Sequence, residues 1–361
     1  MADLFDYLAW RGDLPFSIAP LTTADNYIIA SIGKPDFSGI VPEATSCISL
    51  PDAVTAFNKK YSGSKEGIGV LASPRILDML NAAAASERFK DLKLCSFVRK
   101  IDLVNEEQFS ALTVILPSGH IYVTFRGTDD TLVGWKENFF LAIKDEVPAQ
   151  KDAVEYLEKI ASAFKRRPIH VIGHSKGGNL AIYAAAKASS AVQNRIVSVL
   201  SFDGPGFEDE FLTSEGYLAV HDRTVTVVPE ESIVGMLMQN AGALSIVGMD
   251  GKRSAAAVVS GHDGLTWSAQ ANGFVPAEDL SGSSLEFHTA FVDALGSRDK
   301  ETRIKMVDEF FDFLTASGAV TVSDLINMNM REFIGMARTV PKEKAWNKFV
   351  LDLAENMLLR K

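Results

Sequence analysis

Cysteine is nearly absent: Cys47 and Cys95 are the only two among 361 residues. Their contexts are unrelated and lack metal-ligand spacing, which excludes a disulfide framework or a thiolate-bound metal. Reduced thiols in a cytoplasmic protein are the expectation, with a single buried disulfide as the alternative. Long apolar runs are missing too, and no stretch approaches the roughly 18 consecutive apolar residues of a membrane span. The opening Met-Ala-Asp-Leu-Phe-Asp is acidic rather than basic and then apolar, so no secretory signal is expected. Positive charge is in deficit, with 36 Lys and Arg against 46 Asp and Glu. An acidic chain without a basic, aromatic-laced stripe repels phosphate, which argues against nucleic acid as a partner. What is present is 47% apolar and 23% charged, a soluble globular balance able to bury a large core. Nothing in the sequence sets an oligomeric state.

No internal repeat or low-complexity segment stands out. Residues 1–90 read as mainly helical, with turns at Gly33-Lys-Pro35 and Ser62-Gly-Ser64 and a good helix former from Ile76 to Ala85. From Leu92 the pattern becomes β. Cys95–Val104, Phe109–Leu116 and Ile121–Phe125 are rich in Val, Ile and Phe, and Pro117-Ser-Gly119 makes a hairpin turn. Ala153–Phe164 is an amphipathic helix. Ile169–Ile172, a small-residue helix, Ile196–Phe202 and Val225–Val228 then alternate as βαβ units of a parallel sheet. A further strand is expected at Ala255–Val259, and helices at Ile304–Leu314, Val322–Ala337 and Ala345–Leu359, packed as a cap against the sheet. The expected organisation is one α/β domain: a helical region 1–90, a core 91–275, and a helical region 276–361.

The most informative string is Pro168-Ile-His-Val-Ile-Gly-His-Ser-Lys-Gly-Gly178. A strand ends at Gly173, Ser175 follows two positions later, and Gly177 and Gly178 open a helix. Gly-x-Ser-x-Gly in a strand-to-helix turn lifts a serine hydroxyl clear of the sheet, while the flanking glycines relieve crowding. The turn also aims the amide of Lys176 where an oxyanion would form.

A serine nucleophile needs a base, and that base usually needs a carboxylate to orient it. Six histidines are available. His120 lies in the hairpin upstream of the serine, His170 inside a strand, and His221 at the wrong sheet end. His288 reads as a helix residue, and His174 as support for the turn. His262, in Ser-Gly-His-Asp-Gly, lies downstream of every candidate acid, which suits the order Ser, acid, His of α/β-hydrolases. Two acids follow strands after the serine. Asp203, in Ser-Phe-Asp-Gly-Pro-Gly, is preferred because a short aspartate on a rigid strand end suits an orienting role. Glu231 is the alternative, and Asp263 is too close to His262 to reach its ring. Upstream, Phe125-Arg-Gly-Thr128 ends a strand; Gly127 allows a close approach and Thr128 can supply a second oxyanion donor. The apolar set Leu132, Val133, Trp135, Phe139 and Phe140 reads either as a lid or acyl-pocket wall, or as an amphipathic core helix.

Together these strings resemble the class 3 lipase group of α/β-hydrolases, in which a Phe-Arg-Gly-Thr/Ser strand end precedes a Gly-His-Ser-x-Gly-Gly turn. More narrowly, the chain is similar to a bacterial family of lipase-like proteins of unknown function. That family carries Phe5–Asp13, Phe202–Gly206, Ser232–Leu237 and His262–Trp267 as they stand here. The resemblance implies an α/β-hydrolase fold with a mostly parallel sheet, flanking helices and a helical C-terminal cap. It implies Ser175 as nucleophile, His262 as base, Thr128 and Lys176 as oxyanion donors, and no metal or organic cofactor. The expected activity is that of a serine esterase or lipase cleaving a small-molecule or lipid acyl ester through a Ser-His-Asp triad and an acyl-enzyme. A non-catalytic binding or scaffold protein on the same fold is the rival reading. Two departures stand out. The class 3 acid position holds Ser232-Ile-Val-Gly235, and Lys176 replaces the usual leucine, which would make the pocket edge more polar.

Overall fold

The computed structural model describes residues 2–62, 67–68, 73, 75–249, 261–282, 284–286, 288–289, 299–316, 318–321 and 324. The expected strand Ala255–Val259, the expected helix Ala345–Leu359, the expected helix Val322–Ala337 except Asp324, and part of the Ser62-Gly-Ser64 turn lie outside them.

The N-terminal region forms four helices with clear starts. α1 (Leu4–Arg11) and α2 (Thr23–Ile32) begin at capping boxes, Asp3 with Asp6 and Thr22 with Asp25. α3 (Leu50–Tyr61) is capped by Ser49, with Pro51 in its first turn; α4 spans Arg75–Ala85. Asp25 does two jobs. Besides capping α2, its buried carboxylate accepts Arg88 Nε and Nη2 at 2.7 and 2.6 Å. Arg88 spends its remaining donors on the carbonyls of Leu14, Ala19 and Pro20, so that one guanidinium fixes the chain between α1 and α2.

One eight-stranded sheet follows in sequence order: β1 (Ile48–Ser49), β2 (Lys93–Asp102), β3 (Glu107–Ile115), β4 (Ile121–Phe125), β5 (Ile169–His174), β6 (Ile196–Phe202), β7 (Thr224–Pro229) and β8 (Ala243–Val247). β1 to β4 pair antiparallel and β4 to β8 parallel. Parallel neighbours need crossovers. α5 (Leu132–Leu141) and α6 (Pro148–Ala163) lie between β4 and β5, while α7 (Lys176–Lys187) and the short α8 (Ser190–Gln193) lie between β5 and β6. The single turns α9 (Asp209–Leu212) and α10 (Glu215–Leu218) precede β7, and α11 spans Lys300–Thr315. A small hairpin pairs β9 (Ala269–Gln270) with β10 (Gly273–Phe274).

Alternation along the strands sends successive side chains to opposite faces. Tyr122, Ile172, Leu200 and Phe202 join the core under α1 to α4, whereas Val123, Phe125, Val171 and Val199 pack against α6 and α7. This layered, mostly parallel arrangement is the expected α/β-hydrolase fold. β1 within the expected helical region and the β9–β10 hairpin were not expected, and two further differences bear on the layout. β8 was not anticipated, because Ala-Leu-Ser-Ile-Val at an exposed edge carries little β signal. Of the C-terminal helices, α11 packs on α5 rather than as a cap on the sheet: Val307, Phe310, Phe311 and Leu314 close against Leu132, Phe140 and Ile143.

Removing one partner of a buried ion pair leaves an uncompensated charge, at a cost of about 3–5 kcal/mol. Arg88→Met is expected to lower the urea unfolding free energy by that amount; a loss under 1 kcal/mol would show that Asp25 does not depend on the pair.

Candidate active site

Ser175 sits between β5 and α7 with φ 60° and ψ −133°. A non-glycine residue held there costs about 1–3 kcal/mol, so its surroundings must enforce the conformation. Its amide donates to Phe202 O and its carbonyl accepts from Gly178 N. Glycine is required on both sides for steric reasons. A Cβ on Gly173 would lie 2.1 Å from Gly177 O, and one on Gly177 would lie 2.0 Å from Phe125 O.

Asp203 directly follows β6, fully buried, with φ 48°. Its Oδ2 accepts from His262 Nδ1 at 2.7 Å, and its Oδ1 accepts from Ser232 Oγ at 2.5 Å and Gly235 N at 3.0 Å. A carboxylate only accepts, so the proton on Nδ1 is fixed, and in the neutral ring the Nε2 lone pair is left free. Ser232 and Gly235 belong to the very string that stands where the class 3 acid was expected. That segment therefore supplies donors to a carboxylate from β6 instead of supplying the carboxylate. Glu231, the alternative acid, accepts from Ser281 Oγ at 2.7 Å. The structure brings Asp203, not Glu231, to His262.

The His262 ring lies beside the end of β5: its centroid is 4.6 Å from that of His174, the residue before the serine. His174 Nε2 donates to His262 O at 2.7 Å, a link that the sequence reading of His174 as turn support did not contain. Among the described residues the Ser175 hydroxyl makes no hydrogen bond. Such contacts commonly tighten only once substrate is bound.

Gly127 passes close to the serine, since a Cβ there would lie 3.1 Å from Ser175 Cβ and 2.8 Å from His174 O. Thr128 follows, its Oγ1 accepting from Asn138 Nδ2 at 2.5 Å, which orients the hydroxyl and leaves its own proton to donate. The Lys176 side chain corrects one expectation. It is fully buried, and Nζ donates to Glu137 Oε2 at 2.9 Å and Gln108 O at 2.6 Å, so it runs into the interior and does not edge the pocket. Glu137 also accepts from the amides of Gln108 and Ala149, which ties α5, β3 and α6 to the first residue after the serine. The apolar set on α5 resolves toward the core-helix reading: Leu132 and Phe140 are buried with α11, while Trp135 is exposed.

The remaining histidines are engaged elsewhere. His120 Nδ1 meets His170 Nε2 at 2.9 Å, His170 Nδ1 meets Ser198 Oγ, His221 pairs with Asp222, and His288 bonds Met236 O. Burial pushes His170 down to about 4, with His120 adding to it. Burial also holds His174 well below the usual imidazole range, with Lys34 and then His262 contributing.

Two outcomes follow. In the unfolded chain both imidazoles bind protons near pH 6.5, while in the folded one they stay bare, so stability falls as pH drops below about 6.5. For His170 this continues down to about pH 4. His170→Asn should flatten the pH dependence of the urea midpoint, by about 1.4 kcal/mol per pH unit in free energy; an unaltered slope would refute the assignment. In a double-mutant cycle, Lys176→Met alone should cost about 3–5 kcal/mol, and adding Glu137→Leu should recover part of that loss.

Comparison with known proteins gives three findings. Residues 83–312 match the Mbeg1-like family model. No curated protein sequence matches the chain. Solved structures with some likeness include a triacylglycerol lipase described as having a serine-protease triad (15% identity, 63% of this chain and 80% of that one, TM-score 0.38). Others are a protein from Penicillium cyclopium (10%, 74% and 92%, 0.38) and a Yarrowia lipolytica lipase (12%, 72% and 87%, 0.36). The family match spans well over half of the chain and contains the serine turn, the buried aspartate and the histidine described above, and on that basis the chain belongs to the Mbeg1-like family.

Proposed function

We propose that the protein is a serine hydrolase that cleaves an acyl ester. The observation that carries this reading is the 2.7 Å bond from His262 Nδ1 to the buried carboxylate of Asp203, beside a serine held on a strained strand-to-helix turn. Ser175 Oγ attacks the ester carbonyl carbon and gives its proton to His262 Nε2; the carbonyl π pair moves onto oxygen. The amides of Thr128 and Lys176, with the Thr128 hydroxyl, receive that oxyanion, each donor being worth about 3 kcal/mol of barrier. On collapse the alkoxide leaves with the proton from His262, forming an acyl-serine. Water, deprotonated by the same ring, then releases the carboxylic acid and restores the serine. Asp203 keeps its charge throughout and stabilises the imidazolium. The absent class 3 acid is the best support for the rival scaffold reading, and the bond from His262 to Asp203 favours the hydrolase reading over it.

Wild type should be labelled by a fluorophosphonate probe and Ser175→Ala should not. A folded wild type that takes no label ends the hydrolase reading. Asp203→Asn should lower turnover of a nitrophenyl ester by about 10³–10⁴-fold, with KM little changed. Glu231→Gln should stay far closer to wild type, and equal losses in the two variants would reject Asp203 as the orienting acid. A series of nitrophenyl esters of rising acyl length then sizes the pocket.

A further inference from the structure

His262 lies on no helix or strand. It belongs to the turn Gly261-His-Asp-Gly-Leu-Thr266, and a base carried by a turn needs its backbone fixed from outside as well as its ring. Asp203 holds the ring. Three other side chains hold the backbone: Trp267 Nε1 donates to Gly261 O at 2.7 Å, His174 Nε2 donates to His262 O at 2.7 Å, and Tyr27 OH accepts from Gly264 N at 2.9 Å.

Tyr27 and His174 form one unit. Tyr27 lies on α2, fully buried, with its ring edge-on to His174 at 5.6 Å and tilted against Trp267 at 5.3 Å. Lys34, just past the end of α2, donates to the same Tyr27 oxygen at 3.1 Å. A carbonyl only accepts, so His174 must carry its proton on Nε2. Its ring is kept neutral by burial and by the Lys34 ammonium, with the His262 ring adding to both and the hydrogen bond to the His262 carbonyl opposing them. Tyr27 and Lys34 lie outside residues 83–312, the part matched by the family model, whereas Ser175, Asp203 and His262 lie inside it.

Granting the serine-hydrolase reading, we propose that Tyr27 and His174 are positioning residues: together they clamp the backbone at His262 and at Gly264, so that the imidazole of His262 is presented to Ser175. The N-terminal helical region is then part of the active-site scaffold rather than a separate cover. Neither residue touches the substrate; both act through the His262 turn.

The test uses the full-length chain and a fluorophosphonate probe, with two readouts: the fraction of protein that can be labelled, from intact mass, and the labelling rate per labelled site from pH 5 to 9. A merely structural role lowers the fraction and leaves the rate per site alone. Positioning leaves the fraction near one and lowers the rate. Tyr27→Phe and His174→Leu are each expected to slow labelling by about 10- to 100-fold at every pH, since small displacements of a catalytic group cost this much. His174→Gln keeps an N–H donor near the place of Nε2 and should return the rate to within about 3-fold of wild type. Should His174→Leu fail to fold, Tyr27→Phe decides with His174→Gln. Wild-type rates per site in Tyr27→Phe, or losses confined to the labelled fraction, overturn the inference while the hydrolase reading survives. A wild type that takes no label overturns both.

Discussion

One buried carboxylate organises the end of the sheet that carries the candidate site. Withdrawing a charge from water is costly unless donors replace the lost solvent, and Asp203, with no exposed surface, has three: a ring nitrogen, a hydroxyl and a backbone amide. The donors come from separate places, Ser232 and Gly235 in the loop after β7 and His262 in its own turn. Satisfying the charge therefore assembles the site. The loop after β7 cannot move away without stranding Oδ1, and the His262 ring cannot rotate without stranding Oδ2. The Ser232-Ile-Val-Gly string, which lacks the acid of its class 3 counterparts, gains a physical role as the seat of an acid from the neighbouring strand.

The same device recurs twice in the molecule, each time where chain segments must be held in register. Lys176 and Glu137, both with buried side chains, join the first residue of α7 to α5, with Gln108 of β3 and Ala149 of α6 completing the cage. This cage adjoins Ser175, whose backbone conformation is unfavourable by itself and persists only because neighbours over-determine it. Arg88 and Asp25 perform the equivalent task for the segment between α1 and α2. Buried ion pairs are poor general sources of stability, but a pair tied by further hydrogen bonds to several segments specifies one arrangement of those segments.

Local chemistry was legible in the sequence and long-range placement was not. β6 fell where its run of Ile, Val, Leu and Phe predicted it, and the hairpin turn at Pro117-Ser-Gly119 followed from turn chemistry. The serine turn could be read because Gly-x-Ser-x-Gly is a local pattern between a strand and a helix, although the contact that Gly177 answers, Phe125 O, lies far back along the chain. Asp203 and Glu231 both follow strands in acidic, turn-rich contexts, and only the fold, which sets the first against His262 and the second against Ser281, separates them. Lys176 was misread for a related reason: a charged residue beside a nucleophile suggests a polar rim, and nothing nearby in sequence announces Glu137 as its interior partner. The apolar residues of α5 were ambiguous because a lid and a core helix share one pattern, and α11, far along the chain, decides it.

His174 shows why one side chain rather than another suits the place beside the proposed base. In the proposed mechanism His262 becomes cationic on taking the serine proton, and its ring centroid stands 4.6 Å from that of His174. A lysine or arginine in that position could donate to the same carbonyl, but would place a second positive charge against the imidazolium in a poorly solvated space. An imidazole pushed below its ordinary range donates one hydrogen bond and carries no charge. The Lys34 ammonium is turned instead onto the Tyr27 hydroxyl, with Asp263 opposing it electrostatically. Negative charge thus stands on one side of the base, in Asp203, and a neutral donor on the other. In the proposed mechanism that asymmetry stabilises the imidazolium as it forms.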